Sequence, residues 1–142
     1  MSPKDQKKMK TQKDQKIEVS EKAVRILRTL KNEEAFYFYE NVGKPTGESA
    51  KSLSDFLEKV KSVKLESLLF HLQRKDFQNW VKETLGDSTL AGKMEKITPS
   101  NSEGLRTKIR SMVENRIEEL RDMPMRLLIN EDLVVASSSS TA

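Results

Sequence analysis

The stretch FHLQRKDFQNWVKETLGD, residues 70–87, contains the only His and the only Trp of this 142-residue chain. It carries signals for one helix to end and for another to begin. Asp76 is the expected N-cap of a helix whose buried face includes Phe77 and Trp80. Gly86, which adopts the left-handed conformation easily, is expected to end that helix. The stretch therefore predicts the packed middle of a small helical domain.

Apolar residues at spacings of three and four continue the helical pattern on both sides of this stretch. Ser52 is the expected N-cap of the helix at 53–62, with Asp55 as the acid of a capping box. Pro124 is expected to end the longest helix. We predict helices at about residues 21–33, 53–62, 64–73, 77–85, 89–97 and 102–122.

Two segments before residue 52 do not follow the helical pattern. Residues 36–39, FYFY, have strand propensity, but a buried helix end or an extended aromatic plug also fits. Residues 41–47, NVGKPTG, are predicted to be a glycine–proline turn. Their spacing fails the P-loop pattern, and an anion site at the start of the following helix is the functional alternative.

Composition limits the class of protein. The sequence is 35% hydrophobic and 34% charged, and it contains no Cys, which excludes disulfides and thiolate chemistry. No apolar run approaches the ~20 residues that span a bilayer, and the N-terminus lacks the apolar stretch of a signal peptide. We expect a cytoplasmic protein that is mainly α, a compact multi-helix domain, without a membrane partner. The predicted domains are a disordered Lys-rich tail at 1–16, the helical domain at 17–125, an extended arm or small hairpin at 126–136, and a disordered tail at 137–142.

The basic character of the protein lies in its tail. The formal net charge is +4, and residues 1–16 hold six Lys against two Asp, so the remainder has 20 basic and 20 acidic residues. Flexible lysines can neutralise phosphates without sequence preference, while the alternative is a solubilising tail. The candidate nucleic-acid or anion-binding residues are Lys4, Lys7, Lys8, Lys10, Lys13, Lys16, Arg74, Lys75, Arg106, Lys108 and Arg110.

The residues that could carry chemistry are few. His71 could be a general base or a metal ligand, but there is no second His and no Cys to complete a site. Asp76 and Asp87 are outside any calcium-loop pattern. We therefore predict no catalytic residue, no metal and no cofactor. A small enzyme centred on His71, Asp76 and Trp80 is the alternative.

The long helix has an unusual order of charges, with basic residues in its first half and acidic residues toward its end. This arrangement offers a basic patch at 106–110, or antiparallel pairing of two copies through residues 102–122 as a homodimer. Packing of its apolar stripe into the protein's own core is the default expectation. The charged residues concerned are Arg106, Lys108, Arg110, Glu114, Glu118 and Glu119.

Several short motifs between residues 36 and 90 occur together. They are FYF at 36–38, T-G at 46–47, S-L-x-x-F at 52–56, F-H-L-x-R-x-D-F-x-N-W at 70–80 and L-G-D at 85–87. On these motifs the segment resembles a family of small archaeal domains of unknown function. The resemblance implies an archaeal source and a helical domain, but no established activity. Members often have Gly where this protein has Lys75, so we expect the turn before Asp76 to differ.

Similar domains are attached to unrelated partners. The resemblance therefore implies that this protein is a recognition module. We therefore predict a non-enzymatic binding or regulatory module that recognises a protein or a large assembly such as a ribonucleoprotein. The alternative is direct, largely sequence-independent binding of DNA or RNA through the Lys-rich tail and the basic helix residues.

Overall fold

A computed structural model of the protein describes the backbone of residues 21–141 and the side chains of residues 21–122. The predicted disordered tail at 1–16 lies outside the described residues. The chain divides into two compact units. One unit is residues 25–117, and the other takes in both chain ends, of which residues 21–24 and 118–141 are described. The described part of the protein is mostly helical, as predicted, with one small sheet.

The helices agree closely with the sequence pattern in the middle of the chain. The first helix is shorter than predicted, because it ends at residue 27 and the N–H of Leu30 instead donates to the carbonyl of Lys51 (2.6 Å). The elements are α1 (21–27), a 3₁₀ turn (Asn32–Glu34), β1 (Phe36–Asn41), β2 (Lys44–Ala50), α2 (Leu53–Ser62), α3 (Leu65–Gln73), α4 (Asp76–Asn79), a π-helical turn (Trp80–Leu85), α5 (Ser88–Glu95) and α6 (Glu103–Thr141).

The sheet is a two-stranded antiparallel hairpin, with Phe36 opposite Ala50 and two irregularities in register. The FYFY segment is therefore a strand. Our prediction of a turn over 41–47 is wrong for residues 44–47, which lie in β2. A short turn is enough to connect β1 to β2 because Gly43 adopts φ +70°. Pro45 is tolerated in β2 because an edge strand leaves some of its N–H groups without a strand partner.

Helix α2 begins and ends with side-chain hydrogen bonds. The hydroxyl of Ser52 accepts from the N–H of Asp55 (3.0 Å), which confirms the predicted N-cap. At the other end, the Arg106 guanidinium donates to the carbonyls of Val60 and Val63, both at 2.7 Å. These carbonyls lie at the C-terminal end of the helix, where carbonyl groups lack intrahelical partners. Arg106 therefore joins α6 to the end of α2.

The junction between α3 and α4 differs from the prediction. Lys75 has φ +66° and occupies the N-cap position of α4. The prediction that Asp76 is the N-cap is wrong, because Asp76 is already helical and its carboxylate accepts a hydrogen bond from His71. A tertiary partner has therefore replaced the local backbone partner. Further along, Gly86 ends the helix with φ +83°, as predicted.

Aromatic rings fill the middle of the 25–117 unit. Phe36 and Phe38 meet edge to face with ring centroids 4.9 Å apart, and Phe56 contacts Phe77 at 5.1 Å. Trp80 is only 8% exposed, which confirms it as a core residue. Its indole N–H donates to the carbonyl of Glu34 (2.9 Å), so the buried polar group is satisfied.

A buried ion pair connects the start of α5 to α6. Both carboxylate oxygens of Asp87 accept from the Arg116 guanidinium, at 2.8 and 3.0 Å. The same carboxylate accepts from the N–H of Leu90 (3.1 Å), so Asp87 is also the N-cap of α5. The sequence pattern left the start of this helix open between Asp87 and Ser88, and it did not predict the pair.

Helix α6 is longer than the sequence pattern predicts. The structure assigns helix from Glu103 to Thr141, past Pro124, where we expected the helix to end. The predicted extended arm at 126–136 and residues 137–141 of the predicted tail fall within this helix, and Ala142 lies outside the described residues. A proline removes one backbone N–H but can be accommodated in a long helix with a local bend.

Candidate functional site

An open groove of about 450 Å³ lies between β1 and the α3–α4 junction. Its rim includes exposed apolar surface, with Val42 77% and Tyr37 50% exposed. Few large apolar side chains among the described residues are exposed in this way. The lining residues are Phe36, Tyr37, Tyr39, Asn41, Val42 and Gly43 from the hairpin, and Phe70, His71, Arg74, Asp76 and Asn79 from the helices.

The alternation of side chains along β1 produces the aromatic wall of the groove. Phe36 and Phe38 point into the core, and Tyr37 and Tyr39 are exposed between and after them, as the period of two in a strand requires. The Tyr37 hydroxyl donates to the carbonyl of Asn32 (2.7 Å), which holds its ring in place. The wall is therefore partly preorganised.

His71 joins the two sides of the groove. The backbone N–H of Tyr39 donates to its Nε2 (2.8 Å), so this nitrogen carries no proton. Nδ1 then carries the proton and donates to Oδ2 of Asp76 (2.8 Å). The ring is 3% exposed, and both of its nitrogens are engaged. The structure therefore contains the neutral Nδ1–H tautomer of His71.

Burial lowers the pKa of His71 below its usual value, because a buried ring loses the hydration of its charged form. The hydrogen bond and the charge of Asp76 act in the opposite direction, and the nearby Arg74 adds to the lowering. Protonation at Nε2 would also remove the bond from the Tyr39 N–H. Geometry and burial therefore both favour the neutral ring.

Arg74 lies across the mouth of the groove from the tyrosines. Its guanidinium carbon is 4.9 Å from the centroid of the Phe70 ring. Its Nε lies 3.4 Å from Oδ2 of Asp76, the oxygen that also accepts from His71. The Arg74 side chain is still 52% exposed. Arg74 is therefore held by two neighbours and faces solvent.

The structure brings His71 and Asp76 together, but Trp80 is not part of this pair's surroundings in the groove. Trp80 is buried and does not line the groove. Among the described residues there is no group of three or more His, Cys, Asp or Glu side chains that could hold a metal ion. The His71–Asp76 pair itself is bonded to the strand rather than directed at the groove's open space.

The other basic candidates are spread over the unit. Lys75 forms an ion pair with Glu95. Arg106 is turned toward the end of α2, and Lys108 is exposed on α6. Arg110 forms an ion pair with Glu114 (3.0 Å). Of the basic residues predicted to bind anions, only Arg74 lines the groove, and the six lysines of the 1–16 tail lie outside the described residues.

A second cluster of charges lies on the hairpin. Glu40 accepts from Lys44 at 2.9 Å and from Lys64 at 3.1 Å. These two ammonium groups hold the pKa of the Glu40 carboxyl below its usual value. Lys44, which we considered as part of an anion-binding loop, is thus paired within the hairpin.

The apolar stripe of α6, which we considered as a homodimer surface, is covered within the protein itself. Leu105, Ile109, Val113 and Ile117 are all 5% exposed or less. The homodimer therefore stays a prediction without support from this stripe.

The charge of the protein is distributed in a way that the tail alone does not reveal. Residues 25–117 hold 17 Lys and Arg against 13 Asp and Glu, which gives a formal charge of +4. Residues 118–142 hold two Arg against five Asp and Glu, which gives −3. The unit that contains the groove is therefore basic in its own right.

Sequence reasoning missed the tyrosines, Asn41 and Asn79 as site residues. The alternation in FYFY was the available signal, since a strand with two buried Phe must expose the two Tyr. Nothing in the sequence indicated that β1 would lie beside Arg74, because that neighbourhood depends on the packing of α3 against β1.

Comparisons with known proteins give no match, whether to a family model, to a curated protein or to a solved structure. The resemblance to archaeal domains therefore stays a prediction. In the part of the protein that the structure describes, no helix combines the length and apolar character that crossing a membrane requires.

Proposed function

We propose that this protein is a non-enzymatic binding module that holds a short extended segment of a partner protein in the groove between β1 and α3–α4. The observation that carries the proposal is an open groove with exposed Tyr rings on one wall and a solvent-facing Arg on the other. Tyr and Arg are the side chains that contribute most often to the affinity of protein interfaces.

The arrangement of His71 supports binding over catalysis. A general base needs a nitrogen within reach of the proton that it abstracts. Here Nε2 accepts from the Tyr39 N–H, and Nδ1 donates to Asp76. The pair thereby fixes the backbone of β1 and the position of one groove-lining carboxylate, which is what a preformed binding site needs.

The charges beside the groove favour a protein segment over a phosphate backbone. Among the described residues, Arg74 is the one Lys or Arg that lines the groove, and Lys44 and Lys64 share Glu40. Binding of nucleic acid gains most of its affinity from unpaired cations that neutralise phosphates. The groove instead combines ring surfaces with a few polar groups, which is typical of sites for peptides.

The test is selection of peptides on the full-length protein. A display library of random 12-residue peptides is panned on the wild-type protein and on Tyr39→Ala, which removes the ring but keeps the N–H that His71 accepts. We expect peptides that are enriched on the wild type and depleted on Tyr39→Ala. Their complexes should shift the backbone amide signals of Asn41, Gly43 and Asn79 in two-dimensional NMR spectra.

The matched control is Arg110→Ala, which changes an exposed Arg on α6 outside the groove. It should leave the enriched set unchanged. The proposal is wrong if no peptide is enriched, or if enriched peptides bind Tyr39→Ala as well as the wild type. It is also wrong if their shifts lie away from the groove.

Direct binding of nucleic acid is a second candidate, favoured by the formal charge of +4 on residues 25–117 and by the six lysines at 1–16. The probe is a fluorescein-labelled 15-nucleotide poly(dT), measured by anisotropy between 50 and 200 mM salt. When residues 1–16 are deleted, we expect the log–log slope to become shallower by roughly 0.7 for each phosphate that the tail neutralises. An unchanged slope, or no binding at low salt, contradicts this candidate.

A further inference from the structure

We propose that Arg74 is the carboxylate-binding residue of the groove, so that the partner segment presents an acidic group next to an aromatic or aliphatic side chain. This inference rests on the proposed function and specifies the chemistry of its ligand. The acidic group is the carboxylate of an Asp, of a Glu or of a polypeptide's carboxyl terminus, all of which offer the same two oxygens.

Two hydrogen bonds and an ion pair position the guanidinium before any ligand arrives. The N–H of Tyr39 orients His71, and the Nδ1–H of His71 orients the carboxylate of Asp76, both at 2.8 Å. That carboxylate lies 3.4 Å from Nε of Arg74, and the ring of Phe70 lies under the guanidinium. An arginine held in this way loses little rotamer freedom on binding, which favours affinity.

The outer edge of the same guanidinium remains available. Asp76 contacts Nε, and no residue in the described range 21–122 accepts a hydrogen bond from the Nη groups. The planar fork of two N–H groups matches the two oxygens of a carboxylate. The Asn79 amide, exposed on the same groove wall, offers a further donor.

The other residues of the groove determine which kind of ligand side chain can lie beside that carboxylate. Tyr39 and Val42, which are both exposed, present apolar surface to the same groove as Arg74. An aromatic or aliphatic side chain beside the acidic group would cover this surface. The formal charge of +4 on residues 25–117 also complements an acidic ligand and disfavours a basic one.

The experiment uses three probes: an acid, its matched neutral amide and a cation. N-acetyl-L-phenylalanine carries a carboxylate, and its primary amide is the matched neutral compound. Each is titrated into the full-length ¹⁵N-labelled protein at pH 7. We expect saturating shifts of the amide signals of Gly43 and Asn79, with the acid binding about fivefold or more tightly than the amide, because an Arg–carboxylate bond is charge-assisted. L-phenylalaninamide, a cation, should bind weakest.

Two variants assign this preference to one residue. Arg74→Lys keeps the positive charge but loses the planar fork and the stacking on Phe70, so the preference for the acid over the amide should become much smaller. Arg110→Lys is the control, because Arg110 is also 52% exposed and ion-paired but lies outside the groove. It should keep the full preference for the acid.

Each other outcome overturns the inference. Equal affinity of acid and amide in the wild type, with shifts at the groove, would leave a peptide groove without a carboxylate site. Tighter binding of the cation would assign recognition to Asp76 instead of Arg74. The absence of binding by any probe overturns the carboxylate site, and the peptide selection then decides separately whether the groove binds at all.

Discussion

At the scale of single residues, His71 shows how two tertiary partners fix a buried polar side chain. It accepts from a strand and donates to a helix, and the identity of each partner assigns the tautomer. The sequence indicated that an isolated His without further ligands was a poor metal site. It could not indicate that Asp76 would leave the N-cap position to bind this ring.

The lowered pKa of His71 predicts a pH dependence of stability. Below pH 6.5 the unfolded protein takes up a proton on His71 that the folded protein does not bind until the pH is lower. The neutral ring therefore makes its full contribution to the free energy of unfolding above pH 6.5. This contribution declines as the pH falls toward the lowered pKa. The slope can reach about 1.4 kcal/mol per pH unit. The free energy of unfolding, measured in urea at pH 5.5 to 8, checks this.

His71→Gln provides the background for that measurement, since the variant retains all carboxylates but lacks the only His. The difference between wild type and variant should shrink as the pH falls below 6.5. A difference that stays constant over the range would contradict the prediction.

Lys75 provides a second prediction at this scale. Its φ of +66° lies in the left-handed region, where a residue with a Cβ costs about 1 kcal/mol relative to Gly. The exposed ion pair to Glu95 recovers little of that cost. Lys75→Gly should therefore raise the free energy of unfolding by roughly 0.5–1 kcal/mol, measured by urea denaturation.

Lys75→Ala is the control for the ion pair, because Ala also removes the ion pair with Glu95 but keeps a Cβ at the left-handed position. We expect Lys75→Ala to be no more stable than the wild type. Equal stability of the Gly and Ala variants would mean that the conformation of Lys75 carries no measurable strain.

At the scale of elements, local signals worked where the partner of a group is close in sequence. Ser52 and Asp55 lie three residues apart, and the Ser52 cap and the bounds of α2 were predicted correctly. The carboxylate of Asp55 accepts from the N–H of Lys51 and not from that of Ser52, so the predicted capping box is not formed. The hairpin was only partly predicted, because Pro45 and Gly47 are typical of loops. Pairing with β1 overrides this local preference for a loop. Such pairing depends on both strands of the hairpin, so residues 44–47 alone do not reveal it.

The buried pair between Asp87 and Arg116 provides a prediction at the scale of packed elements. Asp87→Ala removes the carboxylate that accepts from Nε and Nη2 of the buried Arg116 guanidinium, and it removes the N-cap of α5. We expect a loss of roughly 3–5 kcal/mol in the free energy of unfolding. Thermal and urea denaturation followed by circular dichroism measure it.

Glu114→Ala is the matched control, because it breaks an exposed pair on the same helix, with Arg110. That change should cost less than about 1 kcal/mol. The double variant Asp87→Ala, Arg116→Leu should recover part of the loss, since an apolar side chain then replaces the buried guanidinium. Equal costs for Asp87→Ala and Glu114→Ala would contradict the assigned role.

At the scale of the whole molecule, charge separates along the sequence. The first 16 residues carry +4, residues 25–117 carry +4, and residues 118–142 carry −3. Proteins near zero net charge associate and precipitate more readily. Deleting residues 1–16 reduces the formal charge of the protein from +4 to 0, so we expect lower solubility at pH 7, measured as the polyethylene glycol concentration that causes precipitation.

The control for this deletion keeps the length of the tail. Changing Lys4, Lys7, Lys8 and Lys10 to Gln also reduces the formal charge from +4 to 0. Both variants should precipitate earlier than the wild type. If only the deletion does so, then tail length and not charge sets the solubility.

The sequence by itself determined the helical class, most helix positions in the middle of the protein, the cap at Ser52, the left-handed end at Gly86 and the burial of Trp80. These features depend on spacing and on neighbours within a few residues. Tertiary structure decided that Asp76 binds His71 and that Asp87 pairs with Arg116. It also decided that Arg74 lines the same groove as the tyrosines of β1. These contacts join residues from different elements, so they depend on how the elements pack and not on any local pattern.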